Sequence, residues 1–124
     1  MSFRAILREI VQSCGGGIGA ALMGNDGIPI DQFVSGDVPD GPLADDIGTA
    51  GVEFTRILDE IRKASDGLVG GAMSETIVVL ARFGLIFRPV DEETFLVVVV
   101  APDGNLGKAR YLMRSRLGAI RDEL

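Results

Sequence analysis

The sequence predicts an α/β fold, a single five-stranded antiparallel sheet with helices on both faces, in the order α-β-β-α-β-β-β-α. Three observations carry this expectation. Apolar residues at three- and four-residue spacing mark three helices, one near each end and one in the middle. Five short apolar or alternating runs lie between them, a pair and then a triplet, each joined by turn residues. The last run, Phe95-Leu96-Val97-Val98-Val99-Val100, does not alternate at all. Successive strand residues point to opposite faces, so both faces of that strand must be dry, and helices must cover both sides of the sheet.

The first helix is drawn by Phe3, Ile6, Leu7, Ile10, Val11 and Cys14, with Arg4, Arg8, Glu9 and Gln12 between them, and Gly15 to Gly17 end it. Ile18–Gly24 and Ile28–Val34 form a hairpin around Asn25-Asp26-Gly27. Pro29 cannot donate to a ladder, which leaves that strand a free flank. The stretch Ser35–Pro42 is rich in Gly, Pro and Asp and reads as a long loop. A second helix is predicted over Leu43–Ala64, with Leu43, Ile47, Gly51, Phe54, Leu58 and Ile61 on one stripe. Gly48 and Gly51 inside it each cost roughly 1 kcal/mol against Ala, which calls for close approach of another element. Strands at Met73–Ala81, Leu85–Val90 and Phe95–Ala101 then make a meander. The third helix starts near Asn105, with Leu106, Ala109, Met113, Leu117, Ile120 and Leu124 inward and Tyr111 and Leu112 on the far side.

Composition narrows the function. A length of 124 residues fits one domain, 1–124, and 47% hydrophobic residues supply a core. A net charge of −6 has the wrong sign for general attraction to nucleic acid or anionic lipid. With no His and Cys14 as the only thiol, zinc sites, disulfides and imidazole-based catalysis lose their usual parts. No cofactor and no catalytic residue is expected. Without a membrane-spanning stretch or a signal-like start, the expected address is the cytoplasm. The cluster Gly15-Gly16-Gly17-Ile18-Gly19-Ala20 has the letters of a dinucleotide fingerprint in inverted context, since a helix leads in and a strand leads out. The carboxylate pairs Asp45-Asp46 and Asp59-Glu60 and the run Asp91-Glu92-Glu93 read as solvated charges. Arg110, Arg114 and Arg121 share one flank of the third helix, against an acidic excess on the second.

The segments Gly19-Ala20-Ala21-Leu22-Met23-Gly24-Asn25-Asp26-Gly27-Ile28-Pro29-Ile30, Pro89-Val90 before Phe95–Val100, and Asn105-Leu106-Gly107-Lys108-Ala109-Arg110 resemble the Roadblock family, named for a dynein light chain, and in particular its bacterial MglB-like branch. The resemblance covers nearly the whole chain. It implies a Roadblock/profilin-like fold, a homodimer in which the Met73–Ala81 strand pairs with its twin and the second helix lies beside its copy, and a docking platform for a Ras-like small GTPase. It carries over no catalytic residues. Compared with the dynein-associated members, this chain has the extra loop before the second helix and no long tail after Leu124, so a tail-dependent activity is not expected.

These considerations place the dimer interface at Gly48, Gly51, Phe54, Leu58, Ile77 and Val79, and partner binding at the outward charges Glu53, Arg56, Glu60 and Lys63. Val79→Asp is expected to disrupt folding or assembly and Glu75→Ala to be mild. Regulation of a GTPase could include accelerated hydrolysis through its own switch segments. Two other functions stand beside this one: a structural subunit of a motor or scaffold complex, and a small-ligand sensor or enzyme on a profilin- or PAS-like sheet, which would need a lined cavity.

Overall fold

The computed structural model describes residues 2–35 and 43–124, the side chains of 43–50 excepted, so most of the Gly/Pro/Asp-rich loop, the Asp45-Asp46 pair and the surroundings of Gly48 lie outside the described residues. Helix α1 spans Phe3–Ser13. The Ser2 hydroxyl accepts the Ala5 N–H at 3.2 Å, which caps its start. Ile6, Leu7, Ile10 and Val11 form the buried stripe that the spacing predicts. Cys14 closes the last turn onto the Ile10 carbonyl at 3.1 Å. Gly15 and Gly16 then take φ of 73° and 89°, a left-handed path that side-chain-bearing residues resist, and the chain turns into the sheet. The glycine cluster therefore ends a helix rather than cradling a phosphate.

Strands β1 (Gly17–Gly24) and β2 (Pro29–Val34) form the expected hairpin. The Gly27 N–H reaches the Gly24 carbonyl at 3.0 Å, and the Asp26 carboxylate accepts the Ile28 N–H at 3.0 Å. Ile28 is spent on the turn, so the strand starts at Pro29. Helix α2 covers Leu43–Asp66. Strand β3 is only Thr76–Val79, shorter than the predicted Met73–Ala81. Beyond its end the Leu80 N–H bonds the opposite residue's carbonyl, that of Phe83, at 2.8 Å and closes a tight hairpin whose turn residues are Ala81 and Arg82. Strands β4 (Gly84–Pro89) and β5 (Thr94–Val100) complete the meander, and α3 runs from Leu106 to Glu123 behind an Asn105 cap that accepts the Lys108 N–H at 2.9 Å.

The sheet is antiparallel throughout, in the order β2-β1-β5-β4-β3. Every residue of β5 is buried. Leu96, Val98 and Val100 join α1 and α3 in one cluster, whereas Phe95, Val97 and Val99 meet Leu58 of α2 in the other. Each such side chain contributes about 1.5–3 kcal/mol by leaving water, so this strand anchors both layers. Pro29 sits on the edge strand β2, where its missing N–H costs nothing.

Helix α3 departs from its predicted orientation. Leu112, expected on the far side with Tyr111, is buried, while Leu124 is 49% exposed. The cause is α1: α3 meets that helix as well as the sheet, and Arg116, beside Leu112 on the helical wheel, bonds Glu9 there. Contact with two elements rolls the buried arc toward Leu112 and leaves Tyr111 alone outside, 60% exposed.

Candidate interaction surfaces

Strand β3 pairs with β4 on one side only and forms an end of the sheet, so its outer N–H and C=O groups have no ladder partner among the described residues. Ile77 and Val79 lie on the face shared with Ile86, beyond the cover of α3, and are 39% and 72% exposed. Glu75 leads into the same strand, and here the expectation is overturned. Its side chain is only 14% exposed and accepts from Arg88 at 3.1 Å and Arg110 at 2.8 Å, tying β3 to β4 and α3. Removing it is therefore costly, while Val79 is free of the core.

On α2, Gly51, Phe54 and Leu58 turn inward. A Cβ at Gly51 would lie 2.8 Å from the Gly27 carbonyl and 2.8 Å from the Met23 methyl, so the close approach that this glycine permits is that of its own hairpin turn. Phe54 packs on Phe87 with ring centroids 5.0 Å apart, and Leu58 is buried. Of the six residues assigned to the interface, Ile77 and Val79 are thus brought together at an open edge, and these three are occupied within the chain. Ile61, expected on the inward stripe, is exposed, and so is Ile57 beside it. The helical projection put Ile61 inward because it assumed a wider buried arc than the sheet provides.

Glu53, Arg56, Glu60 and Lys63 stand on the outer face as expected. Arg56 pairs with Glu53, Arg62 with Asp59, and Lys63 reaches Asp59 at 3.2 Å and Glu60 at 3.7 Å. Hydrogen bonds from Arg62 and Lys63 hold the Asp59 carboxyl below its usual range, and Asp59 raises Lys63 in return. An open groove of about 430 Å³ runs between this helix and the adjoining ends of β4 and β5, lined by Val52, Arg56, Arg62, Phe87 and Arg88 among others. Each of its three arginines faces a carboxylate, Glu53, Asp59 or Glu75, which leaves the groove without an unmatched cation for an anionic ligand.

The arginine flank of α3 is likewise engaged. Arg110 holds Glu75, and the Arg121 Nε donates to the Val90 carbonyl at 2.7 Å, whereas Arg114 is exposed. Asp91, read as a solvated charge, accepts from the N–H groups of Glu93 and Thr94 and from the Thr94 hydroxyl, and these bonds hold it below the ordinary carboxyl range. Burial pushes the Cys14 thiol up, which keeps it protonated and unreactive. Among the described residues no three His, Cys, Asp or Glu side chains gather as a metal site, and no helix is long and apolar enough to cross a membrane.

One surface had no signal in the sequence. Between α2 and β3 the chain passes through Gly67-Leu68-Val69-Gly70-Gly71. Leu68 is 77% and Val69 95% exposed, and Val69 has φ of 53°, a left-handed conformation that a β-branched residue strongly disfavours.

Among solved structures, MglC from Myxococcus xanthus is similar over 100% of both chains, with 34% identity and a TM-score of 0.70. A Roadblock/LC7 domain from Streptomyces avermitilis superposes with a TM-score of 0.83 over 99% of this chain and 98% of its own, at 16% identity. The gliding protein MglB from Thermus thermophilus does so with a TM-score of 0.81 over 94% and 83%, at 19% identity. No family model and no curated protein matches the sequence.

Proposed function

This chain belongs to the Roadblock/LC7 family, and from that premise we propose that it is a non-catalytic homodimeric module of the cytoplasm that docks and regulates a Ras-like small GTPase. The observation that carries this reading is the open edge of β3, where unpaired ladder groups coincide with the exposed side chains of Ile77 and Val79. A second copy satisfies such an edge by isologous antiparallel pairing, which extends the sheet across a two-fold axis. An axis normal to the sheet keeps both α2 helices on one face. Their outward charges, Glu53, Arg56, Glu60 and Lys63, then surround the axis and form a field that one GTPase can straddle.

Exposed charges of this kind set encounter rate and orientation more than affinity. The test is a titration of the protein with a Ras-like GTPase of the same cell, loaded with a GTP analogue or with GDP, alongside the double variant Arg56→Glu/Lys63→Glu. Tighter binding to the GTP form is expected, because the γ-phosphate orders the switch segments that a platform would contact. The double variant should associate more slowly, with an altered salt dependence, and remain folded. Equal affinity for the two nucleotide states would leave a scaffold rather than a regulator, and unchanged kinetics would move docking off α2.

A further inference from the structure

Resting on the homodimer just proposed, we infer that Leu68 and Val69 are an arm of the self-association surface, seated on the second copy against its Leu80–Phe83 turn. The four residues of β3 make a short edge, far less than the roughly 800 Å² per partner that stable interfaces cover, so self-association needs further apolar surface close by. The sequence around the strand supplies it. Leu68, Val69, Ile77, Val79 and Leu80 are all large, apolar and exposed, and they occupy one short stretch of chain around the edge.

Backbone geometry points the same way. Glycines flank the pair on both sides, and Gly71 takes φ of 88°, yet a left-handed position is held by Val69 as well, and Gly70 and Gly71 have nothing among the described residues within 4 Å of where a Cβ would stand. Nothing among the described residues accounts for a strained valine presented almost wholly to solvent. Strain of this kind persists where a contact uses it. Antiparallel pairing of two β3 strands lays the segment that enters one beside the segment that leaves the other. This sets Met73–Glu75 beside the partner's turn and brings the arm that leads into them to the same end of the edge, where the partner's Leu80 is 44% exposed and the partner's Phe83 half-buried.

The experiment is sedimentation equilibrium over a range of concentrations on the full chain and on Leu68→Ser, Val69→Gly, Leu80→Ser and the Leu68→Ser/Leu80→Ser pair, with circular dichroism as the folding control. Val79→Asp serves as the edge control. Leu68→Ser and Val69→Gly should each weaken self-association roughly tenfold, and Leu68→Ser should lose less in the Leu80→Ser background than alone, as expected of groups that touch. Arm variants that dissociate like the wild type, while Val79→Asp dissociates fully, would overturn the arm and keep the dimer. Additive losses would overturn its seat on Leu80. A wild type that stays monomeric at every concentration would remove the homodimer itself, and the arm with it.

Discussion

Glu75 binds two guanidinium groups at once, and its replacement leaves Arg88, itself only 17% exposed, without a counter-charge. Glu75→Ala should therefore destabilise the protein by about 2–3 kcal/mol, below the range for a fully buried pair because Arg110 is half-exposed. Glu75→Gln, which keeps an acceptor, should recover part of that loss. Urea midpoints check both, and an alanine variant that unfolds with the wild type would refute the clamp. Val69→Gly should act in the opposite sense on the isolated chain. The left-handed strain relieved, about 1–2 kcal/mol, exceeds the roughly 0.5–1 kcal/mol of extra unfolded-state entropy that glycine brings. Asp91 gives a pH signature. Its carboxyl is depressed in the folded state, so its contribution is present above the ordinary carboxyl range and is lost as pH falls through the folded value. The stability gap between the wild type and Asp91→Ala should hold level at neutral pH and shrink below about pH 4. A gap that widened on acidification would contradict this sign.

Among the elements, the contact of α2 with the β1–β2 turn rests on a missing side chain. Gly to Ala inside a helix normally gains up to about 1 kcal/mol, but at Gly51 the new methyl would meet a backbone carbonyl at 2.8 Å. The clash should win, and Gly51→Ala should lower the thermal midpoint; a raised midpoint would mean that the turn gives way at little cost. Much of the architecture was legible because it depends on local pattern. The unbroken Phe95–Val100 run, the Gly15–Gly17 stop and the Asn25-Asp26-Gly27 turn each announce themselves within a few residues. The misreadings concern which neighbour an element meets. The roll of α3 toward α1 buries Leu112, the tight turn at Ala81-Arg82 takes Ala81 out of the predicted strand, and the convergence of Arg88 and Arg110 turns Glu75 from a surface charge into a clamp. Sequence spacing holds no information on such distant partners. Of the candidate surfaces, the outward position of the four charges of α2 was legible in the spacing and the strand of Ile77 and Val79 was singled out through the family resemblance, whereas the strained tip at Val69 has no pattern to betray it.

At the scale of the whole molecule, the exposure of Val79 separates folding from assembly. Val79→Asp should leave the circular dichroism of the chain unchanged and reduce the mass measured by light scattering to that of one copy, 13.1 kDa. Loss of fold in this variant would place Val79 in the core after all. The strand order has a further consequence. The central ladder pairs residue 17 with residue 100, so β5 takes its place between β1 and β4 only after nearly the whole chain exists. A ribosome delivers α1 and then β1 and β2, a hairpin that α1 can cover on one face while the β1 edge that β5 will fill stays open. It then delivers β5, seven residues of which six are apolar and none charged, the composition most prone to intermolecular stacking. Because β1 is already waiting, the interval during which that segment is uncovered is short. Refolding from denaturant, where β1 and β5 are released together, should therefore aggregate more readily than synthesis on the ribosome, and light scattering during the two processes checks this.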